Sequence, residues 1–420
     1  MFFRRIWVLP CLLCGLFVHD VGAVPVEPLP EADPSLAALA PKERLGKLLF
    51  FDKGLSEPPG QSCAACHLPS AGWTGPDMHI NETGAVYEGA VPGRFGNRKP
   101  TSTAYATPAP ILHPVGGAEG LFVGGSFWDG RATGEELGNP AADQAQGPFL
   151  NPVEQNNPSE LAVVIKVCHG PYAGLFRLVY GAAICHPAQV ARAYDGIALA
   201  IAAYEASPEV NAFSSKYDAY LAGRARLTEK EQLGLQLFEG KAKCSGCHPS
   251  QPGPGGEPPL FTDYSYDNLG VPRNPLNPWY EQLEFNPLGH AWTDRGLGAF
   301  LLTRPEWRRY ARVNLGMQKV PTLRNVDKRP FPSFIKAYMH NGFFKSLESV
   351  VHFYNTRDVL PGCLAEFPAV PGVPGVDCWP PPEVGLNVNT AELGNLGLTP
   401  EEEDALVAFL RTLSDGYFQP

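Results

Sequence analysis

The chain carries Cys63-Ala64-Ala65-Cys66-His67 and, later, Cys244-Ser245-Gly246-Cys247-His248. In each, two thiols about one helical turn apart can form thioethers to the vinyl groups of a haem, and the adjoining imidazole can ligate the iron from one face. The competing readings are a redox dithiol and half of a zinc site. A dithiol does not need the histidine, and a zinc site needs two further ligands nearby. With 10 Cys and 10 His in 420 residues, two chance copies of the pattern are improbable. The expectation is two covalently bound c-type haems, held by Cys63, Cys66 and His67 and by Cys244, Cys247 and His248.

Elements must deliver these motifs. Leu36, Leu39, Leu45, Leu48 and Leu49 make an apolar face that predicts an amphipathic helix over 35–51, just before the first motif. The second motif is preceded by an echo. Glu43-Arg44-Leu45-Gly46-Lys47-Leu48-Leu49-Phe50 matches Glu231-Gln232-Leu233-Gly234-Leu235-Gln236-Leu237-Phe238 at Glu, Leu, Gly, Leu and Phe. Each half therefore reads as helix, short link and haem site, as duplication would produce. Further helices are expected over 159–168, 187–206, 346–355 and 399–413, the last opened by a capping Thr399 with Pro400 at its first position. Residues 68–127 and 249–300 are rich in loop formers and predict long loops around the haems. No convincing run of paired strands is present. The fold class expected is mainly α, with two cytochrome-c-like haem domains and long irregular loops, divided as 24–206 and 207–420, the terminal helix free to pack on the first domain.

Residues 1–23 read as a signal peptide. Arg4 and Arg5 precede an apolar run over 6–18, and Val21-Gly22-Ala23 offers a cleavage site. The run is short for a membrane span and no later stretch is long enough, so no span is expected in the mature chain. Export places the chain in the periplasm, where c-type haems are attached and disulfides persist. Beyond Cys11 and Cys14 of the leader and the four haem cysteines, Cys168, Cys185, Cys363 and Cys378 remain. Pairing sequence neighbours closes two short loops, although connectivity is not readable from sequence. The formal charge of −10 disfavours nucleic acid and suits a basic partner or electron donor.

Taken together, both haem motifs, Phe127-Trp128-Asp129-Gly130-Arg131, Leu150-Asn151-Pro152-Val153-Glu154, Val320-Pro321-Thr322-Leu323-Arg324-Asn325 and Tyr338-Met339-His340-Asn341-Gly342 resemble the bacterial dihaem cytochrome c peroxidase family, and more closely its MauG-like branch. The resemblance spans about residues 35–415. It implies a first haem that reacts with H2O2, with His67 proximal, and a second that stores or relays electrons, with His248 proximal. It implies Glu154 as the distal acid/base, Gln144 and Pro148 as distal-pocket residues, and Trp128 between the haems. Register with the Tyr338–Gly342 motif makes Tyr354 the distal ligand of the second iron, with Met317 and Met339 as alternatives. His79 sits in no family motif and is expected on the surface, leaving the first iron five-coordinate. The resemblance also implies a calcium ion between the haems, for which Asn97 and the carbonyls of Ile335 and Ala337 are the candidates.

Three functions follow from the resemblance. The leading one is a periplasmic peroxidase that shares oxidising equivalents between two haems and oxidises a tryptophan of a partner protein. The second is peroxide removal with a small cytochrome or cupredoxin as donor. The third, without catalysis, is a dihaem electron-transfer cytochrome.

Overall fold

The computed structural model describes residues 34–117, 120–363 and 373–417. The leader 1–23 and nearly all of the Pro-rich segment 24–34 lie outside them.

A short turn of helix α1 (Pro34–Ala37) is followed by α2 (Pro41–Phe51). The single helix expected over 35–51 is thus two, because Pro41 cannot continue a helix from its predecessors and instead takes a first position. After α3 (Met78–Glu82) come α4 (Pro140–Leu150), α5 (Glu160–His169), α6 (Ala173–Tyr180) and α7 (Val190–Glu205). The second half carries α8 (Lys216–Leu221), α9 (Glu229–Glu239), α10 (Gly296–Thr303), α11 (Leu347–Thr356) and α12 (Pro400–Arg411). Ser159, Ser346 and Thr399 cap their helices where the sequence pointed, each hydroxyl accepting a backbone N–H of the first turn. Among the described residues, sheet is confined to two small antiparallel ladders, β1 (His113–Val115) with β2 (Leu121–Val123) and β3 (Tyr266–Asp267) with β4 (Gln318–Lys319).

The sequence echo becomes a repeated helix crossing. α2 packs on α7, and α9 packs on α12. A Cβ on Gly46 would run into the Ala200 carbonyl oxygen, and one on Gly234 into the Ala405 carbonyl oxygen. In both places the missing side chain lets two backbones touch. The flanking aromatics repeat as well: Phe50 packs edge-on to Tyr204, and Phe238 to Phe409. The terminal helix therefore does in the second half what α7 does in the first, and its packing surface is α9 and α11 rather than the first half. Only the tail beyond it crosses over, where Asp415 accepts the Tyr105 hydroxyl at 2.8 Å.

One apolar core gathers α2, α5 and α7 with Phe50, Trp73, Phe149 and Tyr204. Another gathers α9, α11 and α12 with Phe238, Phe261, Phe353 and Phe409. A smaller cluster, containing Leu112, Phe122, Leu297 and Trp307, draws on both halves. Cys168 pairs with Cys185 and Cys363 with Cys378, and the four haem-motif cysteines are the free ones among the described residues. Among the described residues no single helix is long and apolar enough to cross a membrane.

Gly234→Ala tests the crossing. Overpacking a backbone contact of this kind should cost about 1–3 kcal/mol, seen as a lower thermal midpoint with both haems still attached. An unchanged midpoint would mean that α9 and α12 do not meet there.

Candidate haem sites

Both Cys-x-x-Cys-His stretches begin in a 3-10 turn, Cys63–Ala65 and Cys244–Gly246. Each histidine N–H then returns to the first cysteine's carbonyl, at 3.0 Å for His67 and 2.9 Å for His248. The imidazoles are fixed from behind by backbone. His67 Nδ1 lies 2.9 Å from the Thr101 carbonyl and 3.3 Å from that of Trp73. His248 Nδ1 lies 2.7 Å from the Phe261 carbonyl. A carbonyl only accepts, so Nδ1 carries the proton and Nε2 keeps its lone pair. Burial reinforces this by disfavouring the imidazolium, pushing His67 down to about 4 and His248 down as well. Two neutral, oriented imidazoles result, the form in which histidine ligates iron.

The thiols are held the other way. Burial pushes Cys63, Cys244 and Cys247 up to about 12, and Cys66 up as well. A redox dithiol works through a depressed thiol pKa, and burial here acts in the opposite direction. Among the described residues no group of three or more His, Cys, Asp or Glu is placed to hold a metal ion, which removes the zinc reading. Each motif opens instead on its own cavity. Two thiols and an imidazole on the wall of one cavity fit a covalent haem.

Gln144, Pro148, Glu154, Arg131 and Asn97 line the first cavity together with Cys63, Cys66 and His67. Gln144 and Pro148 are one turn apart on α4, hence on one helix face. That helix was not expected from sequence. Asn139 starts it by accepting the N–H groups of Ala141 and Ala142. Glu154 follows in a turn whose N–H bonds the Asn151 carbonyl, and its Oε1 accepts Asn151 Nδ2 at 2.7 Å. Burial raises the Glu154 pKa, while Arg131 and Asn151 oppose the rise. Arg131 is itself stacked on Phe127, 3.6 Å from its ring centre, and bonded to Asp129.

Trp128 is, among the described residues, the one side chain that lines both cavities. Its indole N–H donates to the Lys99 carbonyl at 2.9 Å, and its ring stands edge-on to His340 at 6.3 Å. Tyr354, on α11, lines the second cavity, as do Met339 and His340. Burial pushes the Tyr354 hydroxyl well up from its ordinary value. Met317 instead packs against the small shared cluster. His79 is exposed on α3. The calcium candidates engage separate partners: the Asn97 carbonyl accepts Asn277 Nδ2 at 2.9 Å, the Ile335 carbonyl accepts Asn81 Nδ2 at 3.2 Å, and Ala337 is buried.

Several cavity residues escaped the sequence reading. Glu205, buried at the end of α7, lines the first cavity, and burial raises it to about 8. Its signal was an acid closing the apolar run of residues 197–204. Arg98 bridges Asp129 and Asp294 at 2.6 Å each, and Asp294, Glu383 and Lys319 line the second cavity. These residues are far apart in sequence, with no spacing to mark them.

Comparison with known proteins agrees with this geometry. Residues 40–226 match the model of the family described as di-haem cytochrome c peroxidase. The chain is 36% identical over 392 residues to the methylamine utilization protein MauG of Paracoccus denitrificans, covering 93% of this chain and 91% of that one. It is 28% identical to the cytochrome-c peroxidase IdrP1 of Denitromonas iodatirespirans, covering 94% and 86%. The crystal structure of the diheme peroxidase BthA from Burkholderia thailandensis superposes with a TM-score of 0.70 at 33% identity, over 91% of this chain and 86% of that one.

Replacing Cys244 and Cys247 together by Ala should leave a protein with one covalent haem, read as the intact mass of the denatured chain. A variant that keeps two would show that the second motif is not an attachment site.

Proposed function

The chain belongs to the di-haem cytochrome c peroxidase family, and from that premise we propose that it is an exported peroxidase with two covalent haems, reducing H2O2 in the first cavity and drawing the electrons through the second. When bound, the haem at His67 supplies an iron on which peroxide is reduced, and the haem at His248 supplies a second redox centre.

Reduction of one H2O2 to two waters consumes two protons and two electrons. Glu154 is the residue placed to handle the protons, since it shares the cavity with His67 and burial raises its pKa. In this reading its carboxylate would take a proton from one peroxide oxygen and return it to the other, which would leave as water. Gln144 offers an amide to the same space, and Pro148 limits the room beside it. Asn151 holds the carboxylate in position through its 2.7 Å bond. Trp128 is the route between the cavities. Its N–H is committed to a carbonyl, so the ring passes charge with that proton held in place. The observation that carries the proposal is that Glu154, Gln144 and Pro148 line the cavity of His67 while Trp128 lines both cavities.

Tyr354 is proposed as the second iron's distal ligand. A phenolate there favours oxidised iron, and with it the oxidation of a partner protein's tryptophan. Met339 lines the same cavity and favours the other reading, a small cytochrome or cupredoxin donor.

Glu154→Gln should slow the reaction with peroxide about 10²–10⁴-fold in stopped-flow absorbance, and wild-type speed in the variant would remove Glu154 from its role. A base must be ionised to act, and this carboxyl is raised by burial. The wild-type rate should therefore fall on acidification with a midpoint above the ordinary glutamate range, a step missing from Glu154→Gln.

Tyr354→Phe should alter the absorption and magnetic spectra of the second haem, whereas Met339→Leu should leave its ligation unchanged. The reverse result would assign Met339 as the ligand and point to the small-donor enzyme.

A further inference from the structure

A further hollow adjoins the cavity of His67. Glu135, Glu136, Asp143, Gly147 and Arg304 line it, and among the described residues Phe127 and Arg131 line both spaces. It faces solvent, since Glu135, Glu136 and Gly147 are exposed and the Arg131 side chain is 40% exposed. Helix α4 serves the two spaces from adjoining faces. Asp143 and Gly147, one turn apart, line the outer one, while Gln144 and Pro148 line the inner.

One short loop presents the shared pair. Ser126 donates its N–H to the Ala132 carbonyl at 2.8 Å, which closes the residues between them into a loop. Within it the Arg131 guanidinium lies 3.6 Å from the centre of the Phe127 ring and bonds both carboxylate oxygens of Asp129 at 3.0 Å. Cation and ring are thereby held as one stacked unit. Opposite the ring edge, α4 is bare. A Cβ on Gly147 would rest 3.6 Å from Phe127 Cζ, at ordinary contact distance, so a longer side chain there would cover the ring edge that glycine leaves open.

The pair stands at the Glu154 end of the cavity, because the Arg131 charge acts on that carboxyl. Acids outnumber bases around the outer hollow, and Arg304 is taken up by Glu135 and Glu306. A neutral molecule enters such a mouth without the repulsion that an anion meets.

We propose that this hollow is the entrance through which oxidant reaches Glu154 and the first haem. Its narrow point is the Phe127–Arg131 stack beside Gly147, which admits H2O2 and holds back bulky organic hydroperoxides. The assignment rests on the reading of the first cavity as the peroxide site.

The test uses the purified, oxidised two-haem protein and cyanide, which arrives as neutral HCN and reports access to the iron without peroxide chemistry. A barrier on the way in is the same barrier on the way out, so narrowing the entrance slows both rates and leaves their ratio alone. Gly147→Leu should slow cyanide association and dissociation together, about tenfold each, with the equilibrium affinity unchanged. Phe127→Ala should speed both, and should raise the rate with cumene hydroperoxide relative to that with H2O2. Wild-type cyanide rates in both variants overturn the proposal. A change in affinity carried by one rate alone overturns it too, since it would mean a reshaped cavity and not a route. If Gly147→Leu does not fold, Phe127→Ala decides by the same readout. A protein that shows these cyanide rates yet is inert to H2O2 would remove the peroxidase reading and leave the entrance in place.

Discussion

One indole, that of Trp128, faces both cavities, and the elements around it hold it there. Trp128 must face two haem sites while its backbone stays paired, and three elements secure it. Phe127, at φ +62°, turns the chain so that the next residue points inward. Lys319 of β4 donates its N–H to the Trp128 carbonyl at 2.8 Å, and Lys99 accepts the indole proton. Arg98 then ties the neighbouring Asp129 to Asp294 across the halves. The indole N–H and the Trp128 backbone carbonyl are thus both engaged, which fixes the ring in place.

Fixing one side chain between two halves requires the halves to be similar and stiff. The Gly46 and Gly234 crossings supply this, because helices in backbone contact leave little room to slide. The haem motif follows each crossing helix by a link, Cys63 after α2 and Cys244 after α9, so the position of its thiols is inherited from a rigid pair. The loops between are irregular, but their backbone is engaged: carbonyls of Trp73, Thr101 and Phe261 hold the histidines. A loop employed in this way gives no period to read.

That difference explains what the sequence disclosed. The two Cys-x-x-Cys-His motifs were legible because they are local, a fixed spacing of the kind that thioether attachment would demand. Helices opened by Ser159, Ser346 and Thr399 were legible because a cap is a local device. The α4 helix was not, since Pro148 lies within it and its small residues carry weak periodicity, yet it bears Gln144 and Pro148. Glu154 and Trp128 were reached through motif resemblance, not through any physical pattern. The buried Arg98–Asp129–Asp294 group had no sequence signature at all, and neither had buried Lys336, whose Nζ donates to the carbonyls of Ala71, Asn325 and Lys328. Their partners are backbone carbonyls or acids brought in from far along the chain. Burial turns such residues from ordinary surface charges into parts of a site, and burial is a property of the whole fold.

The acidity of the chain then has a distribution, not merely a total. The net charge is −10, whereas the seam between the cavities carries Lys99, Lys336, Lys319 and Arg98, all with side chains in the interior. Burial works against the charge of the three lysines, pushing Lys319 down to about 7, Lys99 to about 8 and Lys336 down as well, whereas the acids beside Arg98 hold its guanidinium charged. A charge kept from water acts strongly over short distances, since little solvent screens it. Asp129 and Asp294 offset the Arg98 charge in turn, both held ionised by it, so the seam carries a paired group and not a bare cation.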